Sequence, residues 1–184
     1  EGADPAAIRW TGDPVDPNEI ASGGLPEITI GHPQRERWFD AFTSTYVERD
    51  LRAIAQVGDL AAFRRLLRIV ALRSGNILNE TEVARDARLS LPTVRRYIGL
   101  MEAGYLFRRL PPFVRNRTSR LIKSPKAYFS DAGLAAVLAG APPFAAAGDD
   151  PMRGAMLETY VLQNLSGNLS GQSPAVQIYF WNVS

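Results

Sequence analysis

Apolar positions in this chain fall into helical stripes separated by short polar punctuation. From Arg35 to about Val57, Trp38, Phe39, Phe42, Tyr46, Val47 and Leu51 recur at spacings of three and four, which predicts one long amphipathic helix. Gly58 breaks the pattern and Asp59 is placed to cap a second helix, Leu60 to Arg73. In that segment Leu60, Phe63, Leu66, Leu67, Val70 and Ala71 form the inward face, while Arg64, Arg65 and Arg68 form the outward one. Gly75-Asn76 supplies residues able to turn the chain out of the helix.

Two shorter helices follow. Asn79 with Glu82 three residues later has the spacing of a capping box and opens a helix over Glu80 to Ala87. Arg88-Leu89 make a tight turn, and Ser90 caps the next helix, where Pro92 is tolerated in the first turn. Val94, Tyr97, Ile98 and Met101 share the core face, leaving Thr93, Arg95, Arg96 and Gly99 outside, and Gly104 ends the helix. Tyr105–Phe113 and about Ala127–Ser130 are β segments flanking the tip Val114–Ser119, so residues 76–131 are expected to be a helix-turn-helix with a two-stranded wing.

The remainder is simpler. Residues 1–31 contain four prolines and end in Ser22-Gly23-Gly24-Leu25-Pro26-Glu27, a linker pattern. Asp131 caps a helix to Ala139, and Met152–Leu169 is a helix on which Met156, Leu157, Tyr160, Val161, Asn164 and Leu165 recur. Val176–Trp181 (VQIYFW) is a β segment. The expected fold class is α+β and mainly helical. A linker or domain tail (1–31) precedes a helical pair (32–75) and the winged helix-turn-helix (76–131), and residues 132–184 begin a truncated α/β unit.

Charge distinguishes one of these modules. From Arg95 to Lys126 there are nine basic residues against the single acid Glu102, in a chain of net charge +2, so the remainder sums to about −6. Charge sorted this way suits a polyanion, because phosphate neutralisation supplies most of the affinity for nucleic acid. It suits an acidic protein surface equally well. Thr93, Arg95 and Arg96 are the candidates for base contacts, and Arg115, Arg117, Arg120 and Lys123 for backbone contacts.

Other chemistry is largely excluded by composition. There is no cysteine, which removes disulfides and thiolate chemistry and fits a reducing, cytoplasmic setting, and no apolar run approaches the roughly 20 residues needed to span a membrane. The only histidine is His32, in the linker. Lysine occurs only at 123 and 126, so no phosphate-binding Gly-x-x-x-x-Gly-Lys loop can form here, and no cofactor is expected for these residues. Glu158 is a weak candidate metal ligand, because no Asp, Glu or Lys follows it to complete a site.

The ordered segments Gly23-Gly24-Leu25-Pro26-Glu27, TYVERDL, LSLPTVRRYIGLMEAGYL, KSPKAYFSDAGL, LETYVLQNL and IYFW resemble, over about Gly23 to Trp181, the C-terminal domain of unknown function of bacterial AAA-class ATPases. The resemblance implies an ATP- and Mg-binding P-loop domain preceding this region, then a winged helix, then a restriction-endonuclease-like region. It also implies that Glu158 is the first acid of the nuclease-like core, and that Lys126, Asp131 and Gly133 are motif residues of structural role. The function expected is a non-catalytic, nucleic-acid-binding module of a larger ATPase, for which a homo-oligomer is compatible. Two alternatives stand beside it: a protein-docking module with no DNA contact, and the remnant of a metal-dependent nuclease.

Overall fold

Asp16, Asp59, Asn79, Ser90 and Asp131 each precede a helix, and each side chain accepts a hydrogen bond from an amide of the first turn. These caps satisfy amides that the helix itself leaves without partners and so fix where each element begins. The computed structural model describes residues 15–30, 34–46, 59–114, 123–142, 148–172 and 176–181. Within them lie α1 (Pro17–Ser22), α2 (Pro26–Thr29), α3 (Arg35–Thr45), α4 (Leu60–Ala71), α5 (Glu80–Ala87), α6 (Leu91–Ala103), β1 (Phe107–Leu110), β2 (Lys126–Phe129), α7 (Ala132–Ala139) and α8 (Met152–Gln172). The chain is thus a mainly helical α+β fold, with eight helices and a small antiparallel sheet among the described residues.

Helix α4 is the centre of the core. Phe63, Leu66, Leu67 and Val70 are fully buried, together with Phe39 of α3, Val83 of α5, and Ile98 and Met101 of α6. The Phe63 ring meets Tyr97 edge-on at 5.1 Å, the T-shaped arrangement favoured by aromatic quadrupoles. Trp38, Phe42 and Tyr46 stack in sequence along α3. Residues 47–58, which carry the expected remainder of the first long helix, and His32 lie outside the described residues.

The sheet pairs Phe107 with Phe129 and Leu110 with Lys126. It is shorter than the sequence pattern suggests. Tyr105 has φ of 58° and stands exposed, so the chain is still turning out of α6 at that point. Pro112 and Phe113 leave β1 to lie parallel to residue 180, with Phe113 N–H donating to the Phe180 carbonyl at 2.7 Å. Residues 176–181 contribute only this bridge, so the expected terminal strand is reduced to an extended segment. On the other edge of β2, residues 75–78 run antiparallel to it. The Gly75 amide donates to Ala127 O (2.7 Å), the Ala127 amide to Asn76 O (2.8 Å) and the Leu78 amide to Pro125 O (2.8 Å). Gly75 has φ of 80°, the left-handed conformation that favours glycine, which lets α4 turn into this edge.

Where the sequence reads a linker, residues 17–29 are two packed helices. Ile20, Ala21 and Ile28 are buried against the core. The close approach of α1 to α7 requires Gly133, since a Cβ there would lie 2.5 Å from the Ser22 carbonyl oxygen and 2.9 Å from that of Ala21. Asp131, itself buried, accepts from Leu134 N–H and from Gly24 N–H, both at 2.7 Å. Burial pushes its carboxyl above the usual range, and the surrounding backbone amides pull the other way. The structural roles expected for Asp131 and Gly133 are therefore those observed.

Helix α8 lies over β2 and α7. Its buried face carries Met156, Thr159 and Leu162, not the Leu157–Val161–Leu165 line, which is exposed. The Thr159 hydroxyl meets the Ser74 hydroxyl at 3.0 Å, and Ser74 Oγ accepts from Phe129 N–H at 3.2 Å. This buried polar lock sets the rotation of the helix.

Candidate nucleic-acid interface

Helix α6 places its N-terminal half at the surface because Val94, Tyr97, Ile98 and Met101 are held in the core. Arg95 and Arg96 are consequently exposed side by side. Arg96 lies over the Tyr97 ring, 5.1 Å from its centroid, a cation–π contact that supports the guanidinium without using its donors. Thr93 is less available than expected, since its hydroxyl lies 2.8 Å from that of Ser90 within the helix cap. Arg88, in the turn before α6, adopts φ of 54° and is exposed on the same unit. Lys123 is exposed at the foot of β2. Arg115, Arg117 and Arg120 lie outside the described residues.

Several cations of this segment are engaged by acids or hydroxyls. Glu80, the first residue of α5, faces two of them: Arg95 Nε at 2.8 Å and an Arg109 terminal nitrogen at 3.3 Å. Arg109 is also 3.1 Å from Glu102 through Nε, although that approach is off-axis for a hydrogen bond. Burial raises the Glu102 carboxyl; the Arg109 charge opposes that shift and the Glu80 charge adds to it. Arg108, on the opposite face of β1, donates to the Ser166 hydroxyl of α8. Phe107, an aromatic side chain of the same segment, is in the core and not at the basic surface.

Lys126 and Glu158 form a separate cluster. Glu158 Oε1 accepts from Lys126 Nζ at 2.6 Å and from the Tyr128 hydroxyl at 2.7 Å. Burial first, then the bonded carboxylate, holds the Tyr128 phenol well above its usual range, so it stays a donor. Among the described residues no group of three or more His, Cys, Asp or Glu could hold a metal ion. Glu158 is thus placed as the acceptor in a polar contact between α8 and β2. Its side chain lies on the partly exposed margin of α8, not beside a buried Leu157.

A cleft of about 180 Å³ lies between α1, α3, α7 and α8, lined by Ile20, Val137, Met152 and Met156 with Arg35 and Arg153 at its edge. None of the binding candidates that the sequence points to lines it. No helix among the described residues is long and apolar enough to cross a membrane.

Residues 18–145, from α1 past the end of α7, match the family described as "Domain of unknown function (DUF8612)". The chain belongs to this family. The family segment contains α1 to α7 and the sheet, and so includes the whole basic unit and the Gly24–Asp131 contact. Uncharacterized proteins of Mycobacterium tuberculosis and Mycobacterium bovis are each 30% identical to the chain over 163 residues. The match covers 88% of this chain and 36% of each relative, so the chain spans about a third of their length. No solved structure matches.

Glu80 is the residue of this charged cluster that the sequence does not single out. Its spacing assigns it only to the opening of α5, yet its carboxylate lies against guanidinium groups of both α6 and β1. Its signal lies in an acid immediately after the cap Asn79, with arginines one helix and one strand later. Sequence spacing alone does not join them.

Proposed function

We propose that residues 76–131 form a winged helix that binds nucleic acid, with α6 as the groove-facing helix. Support for the fold reading comes from the order of α5, tight turn, α6 and β1–β2, together with the third antiparallel edge at residues 75–78. The observation that carries the functional reading is the adjacent exposure of Arg95 and Arg96 on the N-terminal half of α6, with Arg88 and Lys123 exposed on the same unit. Arg96 and Arg88 supply charge that no acid among the described residues neutralises. The proposed contacts add Arg115, Arg117 and Arg120 on sequence grounds.

The module is proposed to serve a larger protein with a P-loop ATPase domain that would bind ATP and Mg. That extension rests on the motif resemblance, and it agrees with relatives much longer than this chain. The chain itself is proposed as non-catalytic.

Affinity for a short DNA duplex, measured by fluorescence anisotropy across a salt series, tests the reading. With about five phosphate contacts, the log–log slope of affinity against salt is expected near roughly −4 to −5. A slope near zero, or no binding at low salt, rejects it.

A second reading, protein docking, is favoured by one observation. Leu157, Val161 and Leu165 form an exposed apolar line along α8, and Trp181 is exposed nearby in sequence to the buried Phe180. A docking module would show weak or salt-insensitive interaction with the duplex in the same experiment.

A further inference from the structure

The position of Glu80 suggests how the proposed nucleic-acid surface is regulated, an inference that rests on that proposed function. Its carboxylate is held at the start of α5, where the helix N-terminus favours negative charge. Guanidinium groups from two other elements converge on it: Arg95 from α6 and Arg109 from β1. The three side chains differ sharply in access, with Glu80 only 18% exposed, Arg109 35% and Arg95 62%. The sheltered acid and Arg109 are therefore built into the junction between helix and sheet, whereas Arg95 reaches in from solvent.

Two guanidiniums around one carboxylate also make the donor arrangement that binds a phosphate oxyanion. We infer that Glu80 stands in for a nucleic-acid phosphate in the free protein, and that Arg95 is handed from Glu80 to the phosphate backbone on binding. Arg109 remains as the fixed partner of Glu80 and keeps the junction closed while Arg95 turns outward. Glu102 beside Arg109 gives that cation a second acidic neighbour, so releasing Arg95 does not leave Glu80 and Glu102 facing each other without a cation between them. Arg96, resting on Tyr97, needs no such exchange and is ready to contact phosphate in the free state. Glu80 thus sets the strength of binding by competing for one of the two adjacent arginines.

The variant Glu80→Gln tests this on the whole chain. Removing the competitor leaves no Arg95–Glu80 ion pair to be broken on binding. The duplex is then expected to bind more tightly by about tenfold near 0.1 M salt, with a log–log salt slope close to that of wild type, because the same phosphates are contacted in both complexes. Glu27→Gln, which makes the same charge change on α2, is expected to leave the affinity close to that of wild type. The added variant Arg95→Gln in the Glu80→Gln background is expected to cancel the gain. Tightening no greater than in Glu27→Gln, while Arg96→Gln still weakens binding, overturns the exchange and leaves the nucleic-acid reading standing. An absence of salt-dependent binding in every variant, wild type included, removes both together. Should circular dichroism show that Glu80→Gln does not fold, Glu80→Asp keeps the charge but withdraws it by one methylene. Part of the gain is then expected, and no gain from that variant overturns the inference.

Discussion

Replacing Gly133 with alanine is expected to destabilise the protein by about 3 kcal/mol, the upper part of the usual overpacking range. For a domain of this size that corresponds to a fall in Tm of roughly 6–12 °C. The added Cβ would sit 2.5 Å from Ser22 O, 2.7 Å from Ser22 C and 2.9 Å from Ala21 O. All three are backbone atoms, so no side-chain rotation relieves the contact. Helix α1 or α7 must move. Any such movement also lengthens the 2.7 Å bond from Gly24 N–H to the buried Asp131 carboxylate. A buried carboxylate that loses a donor is costly, so the two effects reinforce one another. Gly154→Ala is the matched control, because it lies within α8 and its Cβ would meet nothing within 4 Å. There alanine is expected to stabilise by about 0.5–1 kcal/mol through helix propensity. Thermal unfolding followed by circular dichroism separates the two, and a Gly133→Ala protein that melts with the wild type refutes the α1–α7 packing.

The double variant Arg95→Glu with Arg96→Glu is expected to lower affinity for duplex DNA by at least about a hundredfold near 0.1 M salt. Each lost phosphate contact accounts for close to a factor of ten, and each introduced carboxylate adds repulsion. The salt slope should flatten by about two. Both side chains are exposed on the outer face of α6, and neither Arg95 nor Arg96 packs in the core. The fold should therefore tolerate the change, with Tm within a few degrees of wild type. Unchanged duplex affinity in a folded double variant rules out α6 as the contact surface. It would transfer the argument to the exposed apolar line on α8.

The fold was legible wherever polar punctuation and apolar periodicity agreed. Asp59, Asn79, Ser90 and Asp131 cap the helices they were expected to cap, and α4, α5, α6 and α7 begin where those residues place them. Asn79 does so alone, however. Glu82 turns to Arg73 at 3.3 Å and does not close a reciprocal capping box, because a nearby guanidinium is a stronger partner than a backbone amide.

Periodicity misled on α8. The helix has apolar residues on more than one face, and the sequence cannot say which line is buried. The deciding feature is Thr159, whose hydroxyl bonds to Ser74 from 85 residues away. The prolines of residues 17–29 concealed two short helices for a related reason. Pro17 and Pro26 occupy first-turn positions, where proline starts a helix as readily as it breaks one.

The candidate site was legible in composition and only partly in arrangement. Counting cations located the α6 surface, and Arg95, Arg96 and Lys123 are exposed as expected. Counting could not reveal that Glu80 engages Arg95 and Arg109, that Arg108 turns to α8, or that Lys126 is held by Glu158. Those pairings join residues distant in sequence, and they decide how much of the charge faces outward.

The Asp131 carboxylate that caps the first turn of α7 through Leu134 also accepts from Gly24, 107 positions earlier in the chain. Local opening of α1 would strip a donor from an acid already held away from water, so the two segments should come apart together and not one after the other. In hydrogen-exchange terms, the amides of Gly24 and Leu134 report one shared opening event. Helix α1 and Gly24 therefore behave as an inseparable part of the cooperative unit that carries α7.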